Sequence, residues 1–358
     1  MTPSADHLRS TVIPLERTRV TIEDVAAAAG VSVATVSRAL RGLPNVAMST
    51  RAHITAVASD LQYVADPVAT RLATGRSRTI GCVVPLLGGW YFAQVVAGVE
   101  AVCTEAGFDL VVQSAGSAER LGDLADDAPT LQRRVDGLIM VDYALTDTNV
   151  AAFRTAGIEV VSVGAATGGF CTVGIDDAAV GEMAAQHLIE LGHTRIGLIG
   201  SMRTEPFRFA VPELRANGFR TALADAGIDH DPHLFADGNF SVGGGAEAMM
   251  SLLAMSNPPT AVFALSDEMA FGARRAAERA GLDIPGDISL LGVDDHELAA
   301  LFDLTTVAQD PSAVGVSAAR QLIARVDSEH NDDVHVVDRV VLPTRLVERG
   351  TTGPVHSA

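Results

Sequence analysis

The chain has 358 residues, a formal net charge of −18 at pH 7 and 48% apolar residues. This length exceeds what one hydrophobic core usually organises, so we expect more than one folding unit. No stretch is long and apolar enough to span a membrane, and Cys82, Cys103 and Cys171 lie in apolar or small-residue contexts. Such positions favour buried thiols over disulfides or a metal site, and the missing signal peptide favours the cytoplasm.

The first 17 residues are predicted to be a disordered arm, and a helix-turn-helix pattern follows at residues 18–63. Thr21 is a predicted N-cap, with Glu23 and Asp24 in the first turn, where the helix dipole favours negative charge. Gly30 can adopt the left-handed conformation that makes the tight turn, and Ser32 is the next predicted N-cap. The predicted buried face of the two helices consists of Ile22, Val25, Ala26, Ala29, Val36, Ala39 and Leu40.

A third helix, with a predicted N-cap at Ser49, completes this head. Its predicted buried face consists of Ile54, Val57, Ala58 and Leu61. The alternative is an ordinary helical hairpin, and the charge distribution weighs against it. Residues 1–78 hold nine Arg and six acidic residues, whereas the rest of the chain holds 17 Arg and 38 acidic residues. A nucleic-acid backbone attracts the first part weakly and repels the second.

Residues 64–78 predict a short hinge helix and linker. Asp66 can cap the helix, Pro67 suits its first position, and Gly75 can end it. About two helical turns are too short to be stable alone in water, so we expect the helix to form only when it is paired. The alternative is a flexible linker.

From residue 79 to about residue 350, apolar strand candidates alternate with helix candidates. This alternation predicts parallel sheets covered by helices, and the length fits two lobes. The predicted strands are Ile80–Val84, Leu110–Val112, Leu138–Val141, Val160–Val163, Ile196–Ile199, Ala261–Leu265 and Ile288–Leu291. The predicted helices are 91–106, 178–191, 213–226 and 267–280. Residues 351–358 are a tail with poor helical character.

Four separate motifs resemble those of one family. They are the head sequence from Val20 to Arg38, the hinge sequence from Ala69 to Arg76, Leu191–Gly197 and Leu342–Val347. In this order they make the chain resemble the lactose-repressor (LacI/GalR) family of bacterial transcription regulators over about residues 19–350. The resemblance implies an N-terminal all-α helix-turn-helix head and an α/β two-lobed, periplasmic-binding-protein-like body with parallel sheets. It places the N-lobe at about 79–176 and 310–338 and the C-lobe at about 177–309 and 339–350.

The resemblance also implies which residues contact DNA. The second helix would enter the major groove, where Arg38 can bind a guanine edge bidentately. The implied base-reading residues are Val33, Ala34 and Arg38, and the implied phosphate contacts are Thr21, Ser32, Thr35 and Ser37. Helix capping is the alternative role of these hydroxyl residues. In the hinge, Leu72 would wedge into the minor groove and Ala69 would let two hinge helices approach each other. Ala65-Asp66 departs from the usual Pro-Asn and adds a carboxylate near the phosphates.

Six residues fall where the family binds its effector, in the cleft between the lobes. They are Trp90, Arg215, Phe240, Ser266, Asp267 and Asp294. An arginine and an aspartate suit a polyhydroxylated ligand because each offers bidentate hydrogen bonding, and an aromatic ring can stack on a sugar face. The alternatives are core packing for the two aromatic residues and a salt bridge for Arg215 and Asp294.

Together these implications predict a cytoplasmic homodimer that represses carbohydrate-utilisation genes. It would bind a palindromic double-stranded operator and be released by a small sugar-like effector. One alternative is the same family with a nucleobase or phosphorylated metabolite as corepressor, and a more distant one is a sugar-binding carrier protein. No nucleophile–base arrangement, metal-ligand spacing or cofactor motif stands out, so we expect no catalysis, no metal, no cofactor and no membrane partner.

Overall fold

The computed structural model describes residues 20–63, 76–115, 118–164, 169–201, 210–328 and 338–355. The chain divides into two compact units between Arg76 and Ser77, a helical head and an α/β body. The predicted arm at residues 1–17 and most of the predicted hinge, including Ala69 and Leu72, lie outside the described residues. Within the described ranges, no helix is both long and apolar enough to cross a membrane.

The head contains helices α1 (Ile22–Ala29), α2 (Val33–Leu40) and α3 (Met48–Asp60). The Thr21 hydroxyl accepts a hydrogen bond from the Asp24 N–H, and the Asp24 carboxylate accepts one from the Thr21 N–H at 2.8 Å. This reciprocal cap uses two backbone donors that the start of a helix leaves unpaired. Gly30 has a φ of 67°, and the Thr35 N–H donates to the Ser32 hydroxyl. The predicted caps at Thr21 and Ser32 and the predicted turn at Gly30 are therefore confirmed.

The head core is built around Val25, Val36 and Ile54, each with 0% exposure. Most of the predicted buried face is confirmed. The structure corrects one prediction about that face and one about a helix cap. Leu40 is exposed because α2 ends there and no further turn covers it. Ser49 is not an N-cap, because α3 begins one residue before it and places it inside the first turn.

The N-lobe of the body holds one six-stranded sheet and the helices around it. Its strands are β1 (Thr79–Val84), β2 (Asp109–Ser114), β3 (Gly137–Val141), β4 (Glu159–Val163), β5 (Cys171–Gly174) and β11 (Arg339–Val341). Its helices are α4 (Trp90–Ala106), α5 (Ala118–Asp126), α6 (Ala128–Leu131), α7 (Asp147–Thr155) and α12 (Pro311–Ser328). The order β11-β5-β4-β3-β1-β2 is parallel throughout, as the alternating pattern predicts.

The C-lobe holds the second six-stranded sheet. Its strands are β6 (Ile196–Gly200), β7 (Phe235–Asp237), β8 (Ala261–Ala264), β9 (Ser289–Asp294), β10 (Thr305–Ala308) and β12 (Arg345–Val347). Its helices are α8 (Asp177–Glu190), α9 (Val211–Asp225), α10 (Val242–Leu253) and α11 (Asp267–Arg279), with a 3-10 turn at Pro232–Leu234. In the order β12-β10-β9-β8-β6-β7, only the pairing of β12 with β10 is antiparallel.

The two lobes differ in how their described apolar residues cluster. Alternating residues of β1, such as Cys82 and Val83, belong to separate clusters on opposite faces of the N-lobe sheet. In the C-lobe the apolar residues form one contiguous cluster. Cys82, Cys103 and Cys171 are buried free thiols, as predicted.

The lobes are joined by three crossings of the described chain, located after β5, after β10 and after β11. The first two agree with the predictions near residues 176 and 309. The third lies between Val341 and Arg345 rather than near residue 338, because Arg339–Val341 pair in parallel with β5 and extend the N-lobe.

The body also extends beyond both of its predicted ends. The backbone N–H groups of Ser77 and Arg78 donate to the Asp136 carboxylate at 2.6 and 2.8 Å. At the other end, the Thr351 carbonyl accepts a hydrogen bond from the Leu290 N–H at 2.7 Å. Residues 351–355 therefore belong to the C-lobe and are not a free tail.

Candidate functional site

A cavity of about 100 Å³ lies between the two lobes of the body. Both lobes line it near the carboxyl ends of their parallel strands. Asp142 and Gly164 follow β3 and β4 in the N-lobe, while Ser266 and Asp294 lie at the ends of β8 and β9 in the C-lobe. This is the position where open parallel sheets bind ligands.

Arg215 stands on α9 and forms a buried ion pair in the cavity wall. Its Nε donates to Asp177 Oδ1 at 2.8 Å, and its Nη1 donates to the Leu265 carbonyl at 2.7 Å. Burial raises the pKa of Asp177, although Arg215 opposes the rise. Burial by itself lowers the pKa of Arg215, but Asp177 and Asp294 outweigh it, and the pKa is raised. Arg215 therefore stays charged while two of its donors are already used.

Asp294 ends β9 in a conformation that L-residues seldom adopt, with a φ of 125°. Its side chain is buried, and its Oδ1 accepts a hydrogen bond from Gln309 Nε2 at 2.7 Å. Burial raises the pKa of Asp294 to about 6, with Arg215 and Gln309 opposing the rise. Gln309 directly follows β10, so it belongs to one of the crossings between the lobes.

Asp142 is the N-lobe acid of the cavity, and sequence reasoning missed it. It directly follows β3, has a φ of 53° and is 8% exposed. Its Oδ1 has no hydrogen-bond partner among the described residues. Burial raises the pKa of Asp142 to about 7, and the nearby Asp177 adds to the rise. The sequence did contain a signal that could have identified Asp142, because the residue directly follows the predicted strand Leu138–Val141.

Aromatic residues form part of the cavity wall, but Trp90 is not one of them. The wall includes Phe240, Tyr91 and Phe92, of which the last two meet edge to face with centroids 5.5 Å apart. Trp90 instead packs against His296, with ring centroids 4.5 Å apart and ring planes tilted by 35°, and lines a separate crevice of about 500 Å³. Successive helical residues point about 100° apart, so Tyr91 takes the place predicted for its neighbour.

Ser266 and Asp267, which are adjacent in sequence, occupy different places. Ser266 lines the cavity and caps α11 by accepting a hydrogen bond from the Met269 N–H. Asp267 lies behind the wall with 0% exposure, where it accepts hydrogen bonds from Thr306 Oγ1 at 2.7 Å and from the His296 N–H at 2.8 Å. Its contacts hold the loop after β9 and do not face the cavity.

Four of the six predicted effector residues thus line one cavity, and two do not. The four are Arg215, Phe240, Ser266 and Asp294. The cavity residues that the sequence did not indicate include Tyr91, Phe92, Asp142, Asp177, Glu268 and Gln309. Across the described part of the chain, no group of three or more His, Cys, Asp or Glu residues is placed to hold a metal ion.

The head presents the predicted base-reading residues on α2. Val33 and Ala34 are exposed and Arg38 is half-buried, and Ala34 and Arg38 lie one helical turn apart. The Arg38 guanidinium donates from Nη2 to the Pro44 carbonyl at 2.9 Å and so contacts the loop after α2. Residues 20–63 contain three Arg and three acidic residues. Net charge therefore does not bias this part of the head toward DNA.

The predicted phosphate-binding residues lie at the starts of α1 and α2. Thr21 and Ser32 are exposed and act as helix caps, and the Ser32 and Thr35 hydroxyls lie 2.8 Å apart. Ser37 is half-buried, and its carbonyl accepts a hydrogen bond from Arg41 Nε. Backbone N–H groups and hydroxyls at a helix N-terminus suit a phosphate, so capping and phosphate binding are compatible.

Comparisons with known proteins agree with this division into head and body. The family model for bacterial regulatory proteins of the lacI family matches residues 21–66, and that for a periplasmic binding protein-like domain matches residues 185–352. The chain is 30% identical to Catabolite control protein A of Priestia megaterium over 338 residues. This alignment covers 93% of this chain and 99% of that protein. The chain belongs to the LacI family. It is therefore a DNA-binding transcriptional regulator.

Two solved structures of LacI-family regulators resemble this one. One is the lac repressor dimer bound to operator and the anti-inducer ONPF, which is 28% identical to this chain and superposes on it with a TM-score of 0.81. The alignment covers 94% of this chain and 99% of the lac repressor chain. The other is the complex of the transcriptional regulator CelR with cellobiose, whose protein chain is 30% identical to this one, with a TM-score of 0.67. The alignment covers 93% of this chain and 100% of the CelR chain.

Proposed function

We propose that this LacI-family regulator is a homodimeric repressor that a small sugar-like effector releases from a near-palindromic operator. The observation that carries the proposal is the cavity between the lobes, because polar groups of both lobes line it. A ligand bound there contacts both lobes at once and favours one angle between them. Paired heads reading inverted half-sites would supply the specificity that one helix-turn-helix lacks.

The chemistry of the cavity supports a sugar-like ligand. Asp142 and Asp294 offer carboxylate oxygens, which accept hydrogen bonds from hydroxyl groups, and Phe240 offers an apolar surface. Polar groups at a few positions on an apolar wall are typical of small-molecule sites. The CelR complex contains cellobiose, which is a disaccharide, and this supports a sugar-like ligand for this chain.

The proposed control acts through the hinge. Ligand binding changes the angle between the lobes, and the hinge segment at residues 64–78 transmits this change to the heads and lowers the affinity for operator. In this scheme Ala69 and Leu72 act at the minor groove, and Val33, Ala34 and Arg38 read bases. The coupling is reciprocal, so operator DNA must weaken effector binding by the same factor. This function requires no catalysis, and we place it in the cytoplasm with the operator DNA.

An Arg215→Ala variant tests the proposal through operator release measured by fluorescence anisotropy. The variant should bind operator as the wild type does but respond to the effector only at a concentration more than tenfold higher. Arg220→Ala is the matched control, because Arg220 is on the same helix and pairs with Glu213 at the surface. A normal response of Arg215→Ala would remove Arg215 from the effector site.

Truncating Arg215 leaves Asp177 as an unpaired buried charge, which can itself unfold the body. The double variant Arg215→Ala with Asp177→Asn removes both charges and guards against this outcome. Failure of the folded wild type to bind any operator-like DNA would contradict the repressor proposal itself.

A further inference from the structure

Four carboxylates and one guanidinium line the described part of the cavity. The acids are Asp142, Asp177, Glu268 and Asp294, and the cation is Arg215. Charged groups of one sign in an enclosed site select ligands of the opposite charge, because few water molecules remain to screen the interaction. The question is therefore which of these charges are already balanced within the protein.

Arg215 balances only one acid. Its Nε–Asp177 Oδ1 contact of 2.8 Å joins side chains that are 6% and 3% exposed, and its Nη1 is used by the Leu265 carbonyl. The guanidinium also attracts Asp294 and Asp142, but its single positive charge cannot balance all four carboxylates of the described cavity wall. Asp294 receives one hydrogen bond from Gln309, a neutral amide, which stabilises the carboxylate without cancelling its charge.

Asp142 is the acid with the most to gain from a ligand. It is 8% exposed, faces the cavity, and has an Oδ1 with no hydrogen-bond partner in the described ranges. A buried polar atom without a partner is costly, and such atoms are rare in native proteins. Gly164 leaves room for this carboxylate, since a Cβ at that position would collide with Oδ1. The described residues thus accommodate an acid here and place no cation in hydrogen-bonding contact with its Oδ1.

We propose that the effector of this regulator is a cationic sugar, a polyhydroxylated ring carrying a protonated amine, bound by Asp142 of the N-lobe and Asp294 of the C-lobe. This inference rests on the proposed sugar effector and narrows its class. An ammonium group supplies up to three donors and the missing positive charge. A phosphorylated ligand would bring further negative charge to acids that are already unbalanced, so the same geometry disfavours it.

Binding of matched sugars to the full-length protein tests this inference. Glucose, galactose, mannose and cellobiose are each compared with the corresponding 2-amino sugar and its N-acetylated form by isothermal titration calorimetry at pH 7. One amino sugar should bind on the order of tenfold more tightly than both its neutral parent and its N-acetylated form, because hydrogen bonds between charged groups are the stronger ones. The hydroxyl group of the neutral parent matches the ammonium group in size, and the N-acetylated form keeps the nitrogen at the same ring position without its charge.

An Asp142→Asn variant should bring the affinities for the amino and neutral forms close together. Asp109→Asn, a change of an exposed acid at the start of β2, should keep the wild-type preference. If Asp142→Asn does not fold, Asp294→Asn serves instead, since its amide oxygen can still accept the hydrogen bond from Gln309.

The results separate this inference from the proposed function. Equal or tighter binding of a neutral sugar, with operator release, overturns the cationic ligand and leaves the sugar-released repressor standing. Unchanged preference in a folded Asp142→Asn variant overturns the role of Asp142. If no sugar in any of the three forms binds, both the sugar effector and this inference are wrong, and operator binding then remains as the test of the repressor.

Discussion

The two lobes share one strand order but hold their cavity acids differently. By strand order, β3 of the N-lobe corresponds to β8 of the C-lobe, and β4 corresponds to β9. Asp142 follows β3, whereas Asp294 ends β9, and of these two acids only Asp294 accepts a side-chain hydrogen bond from the described crossing segments. The same strand order therefore does not give the same chemistry. The partner of each acid depends on which side chains the crossings bring to it.

The largest expected effect concerns Asp142 and the pH dependence of stability. Its pKa in the folded protein is raised to about 7 from 3.8, so between about pH 4 and pH 7 the folded state binds more protons than the unfolded state. Its contribution to stability is therefore lost as pH rises through this window. The unfolding free energy of Asp142→Asn, measured relative to wild type, should rise by roughly 2–4 kcal/mol from pH 4 to pH 8.

Denaturant titrations at several pH values check this expectation. The quantity compared is how the difference in unfolding free energy between variant and wild type changes with pH, and not its value at any single pH. Asp109→Asn should follow the wild-type profile, since Asp109 is exposed. Parallel profiles for wild type and Asp142→Asn would show that Asp142 is as well solvated as Asp109. The contrast between the two lobes would then fail.

A second comparison uses glycines at the helix contacts of each lobe. A Cβ at Gly98 would collide with the Ser312 carbonyl between α4 and α12, and one at Gly181 would collide with the Arg215 carbonyl between α8 and α9. Each Gly→Ala change should lower the unfolding free energy by about 1–3 kcal/mol, because the backbones must move apart. Gly181→Ala should also weaken effector binding by displacing Arg215, whereas Gly98→Ala should not.

Gly122→Ala is the control for this pair, since a Cβ there meets nothing within 4 Å. It should leave the protein as stable as the wild type or raise stability by about 0.4–1 kcal/mol. Effector affinity and unfolding are measured on the same preparations. Equal loss of affinity in Gly98→Ala and Gly181→Ala would mean that helix packing, and not the position of Arg215, controls the site.

The smallest expected effects come from helix caps, one in each lobe. Thr146 and Asn149 cap α7 of the N-lobe reciprocally, and the Ser241 hydroxyl caps α10 of the C-lobe. Thr146→Ala and Ser241→Ala should each cost about 1 kcal/mol of unfolding free energy. Thermal unfolding measures both. A loss of several kcal/mol in one lobe alone would show that its cap has a further role.

Local patterns in the sequence predicted much of this molecule. Helical spacing and capping residues located α1 and α2, and continuous apolar runs located seven of the strands. The strands that escaped detection, such as β10 and β12, are only four and three residues long. A strand of that length carries too little periodicity to stand out, and it forms because its neighbours in the sheet are already in place.

The sequence by itself determined the family, the division into head and body, and the parallel order of the sheets, because these depend on patterns within single elements. It also indicated Arg215, Phe240, Ser266 and Asp294, which line the cavity. Only the tertiary structure decided that Trp90 and Asp267 lie outside the cavity, that Asp177 pairs with Arg215, and that Asp142 Oδ1 has no hydrogen-bond partner among the described residues. These facts depend on which residues from distant parts of the chain meet, and on which side of its helix each side chain lies.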